Sequence, residues 1–358
     1  MDNSKKISVC IPFYNIEPYV SRCLDSVLGN TYQNLEVICV NDGSSDGTSA
    51  LLHTYAKKDP RIIVIDKKNG GVVSARNAAI DAATGDFISF IDGDDWIHYQ
   101  FFEALMSVQK QMSADAVICG YEKCADIVQD VEISKEVVST LADTAALLNN
   151  AHARTPIWGR IYSKELVSKQ TDASDIVMGE DTAFNLLFLC RNDQRRVVIV
   201  PERLYYYFQR EDSVVHTASH AEKIKVSLFL KKHFCAFSGQ EGKKLALHEI
   251  MRTMLAYRYL KMYEPDQAEI HMCCKELYTY CADCSISLFN DNLCTNLFIT
   301  LKTHAIISIN IPIFFQYFFS IILLPFKIIH YYYTGFWVKC QCFFDFLCCS
   351  FLRFFIVI

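Results

Sequence analysis

The chain has 358 residues, which is enough for a catalytic domain with a sizeable core and one or two smaller units. Its 35 basic and 40 acidic side chains leave a formal charge of −5. This balance argues against a nucleic-acid-binding protein, because affinity for phosphate backbones rests on clustered Lys and Arg. The 16 cysteines are many, but a chain of this length does not depend on a disulfide framework. We expect reduced thiols that pack as small apolar residues.

The first hundred residues alternate short apolar runs with amphipathic stretches. The apolar runs, rich in Ile and Val as buried parallel strands are, cover residues 7–11, 36–40, 62–66 and 87–91. Helical spacing of apolar residues lies between them, and repeated β-α-β units predict an α/β domain with a mostly parallel sheet and flanking helices. Ligands bind at the carboxyl ends of such strands, in the polar loops that follow them.

The remainder of the chain divides by its pattern. Residues 1–105 form the first half of the predicted α/β domain and 106–215, with a mixed pattern, its second half. Residues 216–298 predict a helical extension, and 299–358 form an apolar tail. Within the tail, residues 303–326 contain no Asp, Glu, Lys or Arg and exceed the about 20 residues that cross a bilayer. We interpret the tail as membrane-associated, with a helical cap on the α/β domain as the alternative.

The first 6 residues are polar and charged, with no apolar stretch typical of a secretory signal before the first predicted strand. We therefore expect the α/β domain to stay on the cytoplasmic side of the membrane, and the tail to hold it at that face.

The segment at 87–96 carries the strongest chemical signal. An apolar strand runs directly into Asp92, Asp94 and Asp95, three acids within four positions. Like charges so close repel one another unless a cation or hydrogen-bond donors neutralise them, and oxygen ligands of this kind suit Mg²⁺ or Mn²⁺. For Asp95 the alternative role is capping of the helix that follows. His98, just beyond, is expected at the surface rather than in a metal site.

Four segments in order resemble the family 2 glycosyltransferases of the GT-A (Rossmann-like) fold. They read SVCIPFYN at 8–15, VNDGSSDGT at 40–48, ARN at 75–77 and DGD at 92–94. A Rossmann oxidoreductase is disfavoured, because no Gly-x-Gly-x-x-Gly turn follows the first strand.

The resemblance implies a role for each matching residue. Asp42 would accept hydrogen bonds from the base of the donor, most often uracil in this family. Asp92 would bind the ribose or the metal shell, and Asp94 would ligate the metal that bridges the diphosphate. Arg76 would approach the diphosphate or brace the aspartates, with a buried ion pair as the alternative. Three further residues would shape the base pocket, namely Pro12, Tyr14 and Asn15.

The second carboxylate motif is Glu180-Asp181. The resemblance implies that Asp181 is the general base and that Glu180 positions or supports the acceptor, while two acids that complement a helix dipole are the alternative. A single base without a second carboxylate nucleophile implies inversion. Trp158 would stack on an acceptor sugar or belong to the core, and Arg210 would contact the diphosphate.

These expectations describe an inverting, metal-dependent glycosyltransferase. It would move a sugar from a nucleotide sugar, UDP-linked, to a hydroxyl of a glycan or lipid-linked acceptor in surface polysaccharide synthesis. The alternatives are a catalytically inactive sugar-nucleotide-binding partner and a nucleotidyltransferase. The Cys-x-x-Cys at 281–284 is expected to be core thiols rather than a zinc site.

Overall fold

A computed structural model describes residues 5–124, 140–141, 152, 155–169, 176, 179–190, 195–209 and 220–233, with single positions at 243, 246, 249 and 250. All of them belong to the first of two units of the chain, Met1–Asn290. Arg210, the Cys-x-x-Cys and the apolar tail lie outside the described residues.

Strands and helices alternate in the first part of the chain. They are β1 (Ile7–Phe13), α1 (Glu17–Leu28), β2 (Leu35–Asn41), α2 (Thr48–Ala56), β3 (Ile62–Asp66), α3 (Gly71–Ala82) and β4 (Phe87–Phe90). All four strands predicted from the Ile- and Val-rich runs are confirmed. β1 and β2, which lie inside the sheet, are buried along nearly their whole length, as is typical of parallel strands in α/β domains.

The second part of the described chain mixes short strands with helices and contains one long strand. In chain order they are β5 (Trp96–Ile97), α4 (Phe101–Met112), β6 (Ala116–Cys124), β7 (Thr140–Leu141), β8 (Arg160–Ser163), a 3-10 turn (Lys164–Leu166), α5 (Glu180–Cys190), β9 (Val197–Phe208) and α6 (His220–His233). Of the predicted helical extension, α6 and the four single positions are described.

The strands form one sheet in the order β3-β2-β1-β4-β8-β6-β9-β5, with β7 paired to β9. β1 is parallel to β2 and β4, and β2 is parallel to β3. β8 runs antiparallel to both β4 and β6, so the sheet becomes mixed where the sequence pattern becomes mixed. The carboxyl ends of β1, β2 and β4 meet at one edge, which brings the three predicted loops together.

The described cysteines are core residues, as predicted. Five thiols are free and buried, namely Cys10, Cys23, Cys39, Cys119 and Cys124. In the part of the chain that the structure describes, no helix combines the length and apolarity needed to cross a bilayer.

A buried acid holds the opposite end of the sheet together. Glu36 on β2 receives hydrogen bonds from Ser8 Oγ, Thr84 N and Oγ1 and Gly85 N, and Lys6 Nζ lies 2.6 Å from its Oε2. Burial alone would raise the pKa of Glu36, but these donors outweigh it and lower the pKa from 4.5 to about 2. Glu36 therefore ties β1 and β2 to the turn that precedes β4.

Candidate active site

The loop after β1 is bound to the loop after β2. Asn15, at φ 52°, accepts a hydrogen bond at Oδ1 from the Ser45 amide at 2.7 Å and donates its own amide to Ser44 Oγ at 3.1 Å. Tyr14 beside it is 51% exposed, so its ring is available to a ligand at this edge. Pro12 lies within β1, opposite Val40. The loops predicted to hold the base thus form one connected surface.

Asp42 fixes the start of α3. Its buried carboxylate accepts hydrogen bonds from Gly70 N at 3.0 Å and Gly71 N at 2.8 Å, and Lys67 Nζ lies 2.5 Å from Oδ1. The first amides of a helix need acceptors, and the Asp42 carboxylate supplies one from the loop after β2 rather than from α3 itself. The carboxylate of Asp42, which is predicted to accept hydrogen bonds from the base, is therefore held in a fixed position.

The DGD segment is a tight turn. The Asp95 amide donates to the Asp92 carbonyl at 3.0 Å, which closes a four-residue turn around Gly93. A Cβ on Gly93 would lie 2.7 Å from Phe13 Cδ1 and from Ile16 Cδ1, so only glycine fits. The turn therefore packs directly on the loop after β1.

Asp95 does not cap a helix, because α4 begins at Phe101. Instead its fully buried carboxylate accepts hydrogen bonds from Tyr205 Oη at 2.6 Å and from Phe208 N at 2.8 Å, both on β9. Burial, reinforced by Asp94 and Asp92, raises the pKa of Asp95 well above its usual value. The capping alternative for Asp95 was wrong, and its partner Tyr205, 110 residues away along the chain, was not predicted.

Arg76 joins the two carboxylate motifs. From α3 its guanidinium reaches Asp181 Oδ1 at 2.5 Å and Glu180 Oε1 at 3.2 Å through Nη1, and Asp92 Oδ1 at 3.0 Å through Nη2. Burial disfavours the cation, but the three acids more than compensate and raise the pKa of Arg76 above its usual value. The turn after β4 and the start of α5, distant in sequence, thus share one buried guanidinium.

The acids around Arg76 outnumber it, and their pKa values reflect this. Burial raises the pKa of Asp92 to about 6; Arg76 opposes the shift, while Asp181 and Asp94 add to it. Burial, then Asp181, raise the pKa of Glu180 to about 8. Asp181 is held on both oxygens, by Arg76 and by the Ile157 amide at 3.2 Å from Oδ2. The site therefore has excess negative charge, which favours a bound cation.

The carboxylate oxygens of the DGD turn fit a hard divalent ion whose remaining ligands are oxygens of the substrate and of water. Within the described ranges no group of three His, Cys, Asp or Glu is placed to hold a metal. Asp92 and Asp94 remain as two carboxylates on one turn. Mg²⁺ sites commonly use one or two protein carboxylates and complete the shell with substrate phosphates and water.

Two other predicted positions are buried. The Trp158 ring is 8% exposed and stacks on Tyr205, with centroids 4.4 Å apart and planes at 9°. This packing supports the core role for Trp158, and its contact with an acceptor stays a prediction.

His98 is 2% exposed, and its Nδ1 accepts a hydrogen bond from the Gln100 amide at 3.1 Å. The expectation of a surface histidine was therefore wrong.

The chain is similar in sequence to known glycosyltransferases. The model of the family "Glycosyl transferase family 2" matches residues 8–167. The uncharacterized glycosyltransferase EpsJ of Bacillus subtilis (strain 168) is 36% identical over 216 residues, 58% of this chain and 62% of EpsJ. The chondroitin synthase of Pasteurella multocida (strain Pm70) is 42% identical over 91 residues, 25% of this chain and 9% of that protein. The chain thus spans about three fifths of EpsJ and a small part of the synthase.

Solved structures share the fold. TarS 1–349 from S. aureus, in complex with UDP, superimposes with a TM-score of 0.53 at 18% identity over 73% of each chain. The mannosyltransferase PcManGT from Pyrobaculum calidifontis, in complex with GDP-Man and Mn²⁺, gives a TM-score of 0.50 at 16% identity, over 85% of this chain and 81% of its own. Residues 8–167 therefore match the glycosyltransferase family 2 model, and the described α/β domain has the GT-A fold.

Proposed function

We propose that the chain is an inverting, metal-dependent glycosyltransferase that moves a sugar from a UDP-sugar to a hydroxyl of a glycan or lipid-linked acceptor in surface polysaccharide synthesis. One observation carries the proposal: Arg76 binds Asp92 of the turn after β4 and also Glu180 and Asp181 of α5. Glycosyl transfer needs the donor diphosphate and the acceptor base to meet at one point, and this guanidinium holds both carboxylate groups there.

The nucleotide binds at the joined loops in this proposal. Asp42 accepts hydrogen bonds from the base, and a pocket wall is formed by Pro12, Tyr14 and Asn15. UDP and UDP-GlcNAc in complexes of TarS, which shares the fold, support a uridine nucleotide as the donor carrier. Arg210, which lies outside the described residues, would contact the diphosphate.

Asp92 and Asp94 would hold the divalent ion, Mg²⁺ or Mn²⁺. When bound, this ion neutralises the charge that develops on the leaving diphosphate. Mn²⁺ beside GDP-Man in PcManGT supports this choice of cofactor.

Asp181 is proposed as the general base. As the acceptor oxygen bonds to the anomeric carbon and the bond from that carbon to the diphosphate breaks, the hydroxyl proton passes to Asp181. The attack comes from the face opposite the diphosphate, so the configuration inverts. Arg76 and the Ile157 amide keep the carboxylate in place, and Glu180 supports the acceptor side.

Nucleotide release from a panel of nucleotide sugars, with and without Mn²⁺, tests the proposal. We expect release from one UDP-sugar by the wild type, and loss of Mn²⁺-dependent release in Asp94→Asn and of transfer in Asp181→Asn. Asp25→Asn, which changes an exposed carboxylate on α1, is the matched control. Mn²⁺-dependent UDP binding without release from any donor would favour the inactive binding partner, and no UDP binding at all would contradict the proposal.

We further propose that the tail attaches the enzyme to the cytoplasmic face of the membrane, where lipid-linked acceptors lie. The uncharged stretch at 303–326 supports this, since it exceeds the length of one bilayer span. The full-length chain should remain in the membrane fraction after a salt wash, and a chain ending at residue 298 should be recovered without detergent. Full-length protein in the soluble fraction would contradict the attachment.

A further inference from the structure

Arg22 lies beside the DGD turn although it belongs to none of the sequence motifs. Its half-buried guanidinium lies 4.1 Å from the ring centroid of Trp96 and 4.4 Å from that of Phe208. Its Nη2 donates a hydrogen bond to the Asp94 carbonyl at 2.7 Å. Aromatic faces attract a cation and restrict a planar guanidinium, so Arg22 is held in a fixed orientation.

The hydrogen bond from Arg22 to the Asp94 carbonyl fixes the last peptide of the DGD turn. The Asp92 carbonyl is fixed by the Asp95 amide at 3.0 Å, and the Asp92 amide donates to Tyr205 Oη at 3.2 Å. The peptide between Asp94 and Asp95 is therefore held at both of its polar groups, its N–H by the Asp92 carbonyl and its C=O by Arg22 Nη2. Since this peptide defines the backbone dihedral ψ of Asp94, Arg22 and the turn hydrogen bond together restrict the direction in which the Asp94 side chain leaves the turn.

The same guanidinium ties the turn to the end of β9. Trp96 pairs with Tyr206 in the sheet, and the Phe208 amide donates to the Asp95 carboxylate at 2.8 Å. Arg22, on α1, lies against the neighbouring rings of Trp96 and Phe208, whose centroids are 6.3 Å apart, and so links α1 to this arrangement. The turn is consequently fixed by α1 and β9 in addition to its own internal hydrogen bond.

We propose that Arg22 is a positioning residue for metal binding, which acts by holding the Asp94 peptide so that the Asp94 carboxylate is presented to a divalent cation together with Asp92. The inference rests on the proposed function of Asp92 and Asp94. Arg22 contacts neither the donor nor the acceptor in this role.

The test measures UDP binding to the full-length chain by calorimetry at a series of Mn²⁺ concentrations. In the wild type, the Mn²⁺ concentration for half-maximal UDP binding is the reference. In Arg22→Met we expect this concentration to rise about tenfold, the size of effect that one hydrogen bond with a charged partner produces. Arg22→Lys should recover part of the loss, because an ammonium keeps the cation but not the planar fork.

Two controls separate positioning from general damage. The first control is Arg61→Met. Arg61 lies just before β3, and its guanidinium donates a hydrogen bond to the Leu28 carbonyl at 3.1 Å. The Mn²⁺ dependence of UDP binding in this variant should stay as in the wild type. Asp94→Asn should show a larger rise than Arg22→Met. Melting temperatures, recorded without metal, report the fold of each variant.

The outcomes are distinct. An unchanged Mn²⁺ dependence in Arg22→Met overturns the role of Arg22 and leaves the proposed function intact. The same rise in Arg61→Met as in Arg22→Met also overturns it, because any loss of a buried guanidinium would then suffice. A wild type whose UDP binding does not depend on Mn²⁺ overturns the proposed metal site and the role of Arg22 with it.

Discussion

Replacement of Glu36 by Gln should destabilise the protein although Glu36 lies at the end of the sheet opposite the candidate site. The glutamine keeps the size of the side chain but loses the charge that the donors from Lys6, Ser8 and Thr84 stabilise. A pKa lowered from 4.5 to about 2 corresponds to about 3 kcal/mol of folding free energy at neutral pH. The NH₂ group of the glutamine would also face the hydrogen-bond donors that now point at the Glu36 carboxylate, which lowers the free energy of unfolding further.

The pH dependence gives a second test of the same carboxylate. A depressed folded-state pKa means that the stabilisation is complete above about pH 4.5 and is lost as the pH falls through about 2. The difference in unfolding free energy between wild type and Glu36→Gln, measured by urea unfolding of the full-length chain in one detergent, should therefore be constant near neutrality and shrink on acidification.

Glu165→Gln is the control, because Glu165 is exposed in the turn after β8 and its loss should cost under about 0.5 kcal/mol. If Glu36→Gln unfolds at the same urea concentration as this control at pH 7, the buried network does not stabilise the sheet and the reasoning is refuted.

Three further changes test the candidate site. Arg76→Lys should lower kcat for sugar transfer about 100-fold or more, since one ammonium cannot replace a fork that binds three carboxylates; near wild-type kcat would refute this. Gly93→Ala should cost about 1–3 kcal/mol in urea unfolding and weaken Mn²⁺-dependent UDP binding, because the added Cβ meets two side chains at 2.7 Å. An unchanged urea midpoint would contradict that close approach. Tyr205→Phe should cost about 1–3 kcal/mol, because the Asp95 carboxylate loses its hydroxyl donor, whereas Tyr14→Phe, at an exposed ring, should cost nothing measurable.

The strands of the first half were predictable because each is a short run dominated by Ile, Val and other apolar residues, and β1, β2 and β4 are almost fully buried. β8 was not predicted, since it is four residues long and begins with Arg160, a buried guanidinium whose Nη2 donates to the His152 carbonyl at 2.6 Å. A charged residue indicates a surface position in a sequence, and only the surrounding carbonyls make its burial favourable. Arg22 was missed for the same reason, because its aromatic partners and the Asp94 carbonyl lie far from it along the chain.

The sequence by itself determined the α/β class of the first half, the loops at the strand ends and the types of residue that they carry, because periodicity and local composition encode these features. The tertiary structure decided which of the neighbouring acids is buried against β9 and which remain at the edge of the sheet. It also decided that Arg76 binds both carboxylate motifs. Side chains at adjacent positions leave the backbone in different directions, so contacts between distant segments depend on strand register and helix packing, which no local pattern contains.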